Sequence, residues 1–568
     1  MVVFSSDARV AEIEMRAILF VLVAFAYIDG SFDVTERAFI RDTIDRLVEQ
    51  RAAESFAADP GARAAIVPRW KAHFYHATDG IEHDVRADFT ESVAPGESAA
   101  QFVQGRLKLR CFELLERLDE QNRDAMLELV DELMLADGIV HPAEQAFRDE
   151  LRTLLEEEPT RVALPAPGSR RGALPGTARQ RAPAILVDEA RPLPLRRLEH
   201  PFFSGFETAY SRDPHAFARQ AGHDLELIRR FEAEIAAQRA RGRGRLGAGQ
   251  TAGAFAGQEP FLDGHVYVHP PRPSADYELI VLGDLHGCYS CLKAALLQSD
   301  FFAKVEAFQS DPGRAPHPLL VFLGDYIDRG RYSYDGILRT VLRLFVAAPA
   351  HVFVLRGNHE HYMERGGRVQ SPVRPAEAIE SIAAVAPREL LLAHMRLFEQ
   401  LPSMLIFDRL LFVHAGIPRE DTADARLKTL DGLNDAEIRL QMAWSDPSDA
   451  DVVPLELQRS STRFAFGRLQ FERFMARVGC SMMIRGHERV VEGLRRLHGD
   501  TLLSLFSAGG ATNDDLPRTS NYREVVPMAL SIRHRDGASR VSPFPLAYER
   551  YNEPANNGFL RPRPGAWG

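Results

Sequence analysis

The chain has 568 residues, 45% of them hydrophobic, and a formal net charge of −10 spread over interspersed acidic and basic residues. That length exceeds what one core sustains, so two or three domains are expected. The charge leaves no electrostatic footprint for nucleic acid or an anionic membrane surface, and neither is expected as a partner. Cys111, Cys288, Cys291 and Cys480 are too few for a disulfide framework. The pair Cys288-x-x-Cys291 lacks the second ligand pair of a closed zinc site and reads as small buried side chains.

Residues 1–158 read as helical, with apolar periodicity and almost no strand punctuation. The apolar run 17–28 is too short to span a bilayer and follows Glu12, Glu14 and Arg16, so a buried helix of a cytoplasmic protein is expected. A pattern occurs twice: Asp29-Gly30 with Glu36, and Asp137-Gly138 with Glu144. Each glycine can end one helix and the following residues can open the next, giving a helix–turn–helix corner. The carboxylates either cap the corner or pool around a metal ion or basic partner. The doubled pattern resembles the tellurite-resistance TerB family, which implies a sensing or docking module that takes a regulatory ligand or protein. Residues 159–261, rich in Pro, Arg and Gly, are expected as a linker with one helical stretch from Asp213 to Arg239. The basic run 239–245 is read as a solvated, disordered end of that linker.

Chemistry concentrates in 262–557, before a short tail at 558–568. Apolar runs at 279–282, 319–323 and 352–355 read as buried strands. Each ends in a polar motif: Gly283-Asp284-Leu285-His286-Gly287, Gly324-Asp325-Tyr326-Ile327-Asp328-Arg329-Gly330, and Gly357-Asn358-His359-Glu360. A hairpin about Asp408-Arg409 delivers His414, and a later strand ends at Gly486-His487. In open α/β sheets ligands gather at carboxyl strand ends, and Asp, Asn and His converging there suit divalent metal. Asp325 is the natural shared ligand of two ions, with Asp284 and His286 completing one shell and Asn358, His414 and His487 the other. A water held between two ions becomes the nucleophile, Arg329 suits phosphoryl oxygens, and His359 oriented by Asp328 suits a general acid.

These motifs, with Leu401-Pro402, Trp444-Ser445-Asp446-Pro447, Phe466-Gly467 and Ser507-Ala508, closely resemble the phosphoprotein phosphatase family of metal-dependent Ser/Thr phosphatases within the calcineurin-like phosphoesterases. The resemblance implies a multidomain chain: an α-helical N-terminal domain plus an α/β metallophosphoesterase domain, a mixed β-sandwich flanked by helices. It implies two divalent metal ions (manganese, iron or zinc), one-step hydrolysis by a bridging hydroxide, and a phosphorylated protein substrate. Its ligands land on Asp284, His286, Asp325, Asn358, His414 and His487, its acid dyad on His359 and Asp328, and its phosphate arginine on Arg329. A second phosphate arginine falls on Arg459 or Arg463, with Arg459 favoured. The family's active-site tyrosine is replaced by Ala511, and its His-Gly-Gly by His414-Ala415-Gly416. The alternatives are a symmetrical dinucleoside tetraphosphate hydrolase and, in another class, a binding scaffold whose catalytic site has decayed.

Overall fold

The computed structural model describes residues 2–28, 32–89, 91, 93–136, 138, 140–156 and 185–561. They fall into two units: the described residues of Met1–Pro175 together with Val452–Ala465, and those of Gly176–Asp451 with Phe466–Gly568.

The first unit is helical, as expected, with helices Ala8–Ala26, Val34–Ser55, Pro60–Asp88, Ala99–Glu116, Glu120–Met134 and Pro142–Glu156. Asp7 opens the first by accepting from the amides of Arg9 and Val10, and the apolar second half of that helix is buried. At the two repeated corners, Glu36 accepts from the Asp33 amide at 2.8 Å and Glu144 from the His141 amide at 3.1 Å. Both carboxylates thus cap a helix start, Glu36 as half of a reciprocal capping box with Asp33. Asp29 and Asp137, the other halves of the proposed metal corners, lie outside the described residues.

In the second unit a six-stranded sheet runs, in spatial order, Ile185–Val187, Ala538–Pro545, Met528–Arg535, Tyr277–Leu282, His317–Phe322 and Val352–Val354. A seven-stranded sheet runs Leu494–Leu497, Leu502–Leu505, Met482–Arg485, Leu410–Val413, Met404–Phe407, Val266–His269 and Phe261–Asp263. The expected hairpin is present, with Asp408 at φ +50 between antiparallel strands. Side chains alternate across a strand. Leu410 and Phe412 therefore enter the core shared by both sheets, while Leu411 and Val413 enter a second core behind the seven-stranded sheet.

The linker expectation for 159–261 needs correction. Its Pro-rich part, up to residue 184, lies outside the described residues, but from Ile185 the chain is built into the second unit. Ile185–Val187 pairs in parallel with Ser539, Arg540 and Val541, and Pro214–Gly242 is one continuous helix. A three-residue strand among prolines is too short for its periodicity to register. The basic run is no disordered tail either: Arg239 Nε donates to the Gly264 carbonyl at 2.6 Å, and the Arg245 guanidinium lies 3.9 Å from the Phe261 ring centre. Its arginines satisfy loop carbonyls and cover an aromatic face. At the other end, Phe559, expected in the tail, packs on Tyr289 with ring centres 4.8 Å apart.

Lys293 is fully buried on the helix that follows the first motif. Its Nζ donates to Glu199 at 3.0 Å, Glu207 at 2.6 Å and the Asn556 carbonyl at 2.7 Å. Lys293→Met leaves Glu207 buried without its cation and is expected to destabilise the unit by about 3–5 kcal/mol, read by denaturant unfolding.

Candidate metal centre

Three parallel strands of the six-stranded sheet end together, and their following loops carry Asp284 and His286, then Asp325, Asp328 and Arg329, then Asn358 and His359. From the other sheet, parallel strands Leu410–Val413 and Met482–Arg485 deliver His414 and His487. A bridge between Asp284 and Phe506 joins the two sets of strand ends. Such loops must turn sharply, and the backbone takes the strain. His286, Asp325, Asp328, Arg329 and His487 all have positive φ, from +40 to +74, a region L side chains disfavour and functional sites retain. Glycine is required where backbone meets ligand: a Cβ on Gly357 would lie 2.1 Å from Asp325 Oδ1, and one on Gly486 2.2 Å from Asp284 Oδ1.

Backbone carbonyls fix the imidazoles. His286 Nδ1 donates to the Ile327 carbonyl at 2.8 Å and His414 Nδ1 to the Leu323 carbonyl at 3.1 Å, leaving each Nε2 lone pair facing the centre. Nε2 of His286 lies 3.7 Å from Asp284 Oδ2 and 3.5 Å from Asp325 Oδ2, and Nε2 of His414 lies 3.4 Å from Asp325 Oδ1. These separations are too long for hydrogen bonds and of the size that divides two donors on one cation. The Asn358 amide sits 2.8 Å from His414 Nε2 and 3.1 Å from His487 Nδ1. Among the described residues, His286, Asp325 and His359 form one triplet whose ligand atoms lie within 4.8 Å of one another, and Asp325, His414 and His487 form another. Asp325 is common to both.

The electrostatics ask for positive charge. Burial, then repulsion from Asp284 and Glu360, pushes the Asp325 carboxyl well above its ordinary range. Burial pushes Asp284 and Glu360 up to about 7 and Asp328 up to about 6. Burial also holds His286 and His414 well below the usual imidazole value, so they are neutral donors. Asp284 Oδ2 is buried with no hydrogen-bond partner. Crowded carboxylates, neutral imidazoles and an orphaned oxygen fit divalent metal, which would reverse the carboxylate shifts.

The remaining expected residues divide. His359 Nδ1 bonds Asp328 Oδ2 at 2.6 Å. Arg329 is largely buried, with Nη1 3.5 Å from Glu377 Oε1. Arg459 ends the helix Leu455–Arg459, in the segment that groups with the helical unit. In the same segment Arg463 lies 3.3 Å from Glu91 and over the Phe102 ring, so that arginine is engaged within the helical unit.

Sequence reasoning passed over Glu360. Its carboxylate accepts from the amides of Asp325 at 2.8 Å, Tyr326 at 2.9 Å and Gly357 at 3.0 Å, tying the second and third loops together. Its place inside Gly-Asn-His-Glu was the available signal. Glu360→Gln is expected to cost about 10–100-fold in metal affinity, measured by competition with a chelating dye. Trp444 packs edge-on to His487 at 5.8 Å, Asp446 accepts from Arg485 at 2.6 Å, and Tyr522 packs on His286 at 5.5 Å.

Residues 277–490, which carry the centre, match the family described as "Calcineurin-like phosphoesterase". Among similar proteins, a probable serine/threonine-protein phosphatase of Encephalitozoon cuniculi is 25% identical over 41% of this chain and 47% of its own length. The serine/threonine-protein phosphatase 6 catalytic subunit of Caenorhabditis elegans is 28% identical over 40% of this chain and 63% of its own length. The chain thus spans roughly half to under two thirds of the length of these relatives. A solved protein serine/threonine phosphatase from Saccharomyces cerevisiae is 19% identical, covering 48% of this chain and 80% of that one, with a TM-score of 0.34. No helix among the described residues is long and apolar enough to cross a membrane.

Proposed function

We propose that the chain is a metal-dependent phosphomonoesterase acting on phosphoserine and phosphothreonine in proteins, with two divalent ions at the centre. The observation that carries the reading is that Asp325 turns one carboxylate oxygen toward His286 and the other toward His414, as a ligand shared by a pair of ions would. Asp284, His286 and Asp325 would hold one ion, and Asp325, Asn358, His414 and His487 the other. The oxygen and imidazole donor set suits manganese, iron or zinc. When bound, the ions polarise phosphoryl oxygen and make water acidic.

The chain's own side chains supply the rest. Arg329 presents a planar fork of donors to the phosphoryl oxygens. Asp328 holds the His359 Nδ1 proton, which aims Nε2 at the centre. His359 then gives its proton to the departing serine or threonine oxygen. Arg459 is the proposed second phosphate arginine on the register of its sequence motif alone. The helical unit is read as a docking or sensing module for a regulatory ligand or protein.

The names of the relatives support a phosphoprotein substrate. The test is turnover of a phosphoserine peptide beside diadenosine tetraphosphate, on the metal-loaded full chain. Preferential hydrolysis of the peptide is expected. Turnover of the dinucleotide alone would move the substrate to nucleotides, and turnover of neither would leave a binding scaffold.

A further inference from the structure

A cavity of about 260 Å³ adjoins the centre, with Asn358 and His414 in its wall together with Arg356, Arg439, Glu399 and Trp444. Both arginines are partly buried. Arg356 Nε donates to the Glu360 carbonyl at 2.9 Å and Arg439 Nε to the Asn434 carbonyl at 3.2 Å. Each fork therefore spends one donor on a backbone oxygen and keeps the rest. Neither guanidinium forms an ion pair among the described residues; the single carboxylate in the lining, Glu399, is exposed and acts on both arginines only through its charge.

A third cation lies near enough to Arg439 to feel its charge. Arg239 donates to the carbonyls of Gly264 and Gln400 and has no carboxylate partner among the described residues. The field of the three is felt at His265. Burial first, then the charges of Arg439, Arg239 and Arg356, holds its imidazole down at about 3. Guanidinium charge that is partly desolvated and unpaired is unfavourable unless an anion meets it.

We propose that this cavity is a second anion subsite, in which Arg356 and Arg439 take a carboxylate or phosphate carried by the substrate next to the phosphoryl group held at the metal centre. The subsite rests on the phosphomonoesterase reading above, and it adds a substrate class: acidic or multiply phosphorylated sequences. Paired guanidinium forks bind either anion by charge-assisted hydrogen bonds, strengthened where water is partly excluded.

The experiment is steady-state kinetics on the metal-loaded full chain, wild type against Arg439→Gln and Arg439→Lys. The substrates are p-nitrophenyl phosphate, a phosphoserine peptide with alanine neighbours, and the same peptide with glutamate or a second phosphoserine adjoining. The wild type is expected to favour the acidic peptides through KM. Arg439→Gln should raise that KM about ten- to a hundredfold while p-nitrophenyl phosphate turnover stays unchanged, and Arg439→Lys should fall between. Diadenosine tetraphosphate separates the sources of the anion: a KM effect confined to it assigns the subsite to polyphosphate instead of peptide. Equal losses on all substrates, or no acidic preference in the wild type, would overturn the subsite. If no substrate is turned over, the phosphatase reading has failed, and calorimetry with inorganic pyrophosphate decides the subsite alone. Affinity weakened by Arg439→Gln supports it, and equal affinity overturns it.

Discussion

Asp325→Asn is expected to strip the centre of metal and to lower kcat/KM for a phosphoserine peptide by about a thousandfold or more, since several kcal/mol of charge stabilisation depend on the ions and each 1.36 kcal/mol is tenfold. Asp325 contributes one oxygen toward His286 and the other toward His414, and among the described residues it is the member common to both triplets. The amide preserves the shape but not the charge. It also removes a carboxyl that burial and the neighbouring Asp284 and Glu360 disfavour, so the metal-free variant should melt no lower than the metal-free wild type. Metal content by mass spectrometry, kcat/KM and a thermal melt read the three effects separately. A variant that keeps its metal and its activity would show that Asp325 is not shared.

The second large effect belongs to His359. His359→Asn should lower kcat on a phosphoserine peptide by about 10²–10⁴-fold, yet affect p-nitrophenyl phosphate far less, because nitrophenolate departs without needing a proton. The bond to Asp328 at 2.6 Å fixes the ring, and Asp328 is itself anchored by the Ala378 amide at 2.7 Å. His359 also stands within ligand distance of His286 and Asp325, so metal content must be measured alongside. An acid leaves metal unchanged and separates the substrates. A ligand loses metal and slows both substrates alike.

The residues of the centre were legible because each follows an apolar run of strand length and carries glycine neighbours, a pattern that survives without any knowledge of pairing. The hairpin at Asp408 and the burial of Cys288 and Cys291 were legible for the same local reasons. What escaped depends on distant partners. Ile185–Val187 is a strand only because Ala538–Pro545 offers it an edge. The arginines of 239–245 looked like a solvated run, since nothing in the sequence tells that the carbonyls of Gly264 and Gln400 lie within reach. The grouping of Val452–Ala465 with the helical unit, and the engagement of Arg463 with Glu91, likewise join residues far apart in the chain. Glu360 was visible as a motif letter, but its grip on three backbone amides was not.

The most direct measurement is anomalous diffraction from crystals grown with manganese. Two peaks about 3.5–4 Å apart are predicted, with the Asp325 carboxylate touching both and His487 touching one. A single peak, or a pair that leaves Asp325 or His487 outside both coordination shells, would contradict the proposed centre.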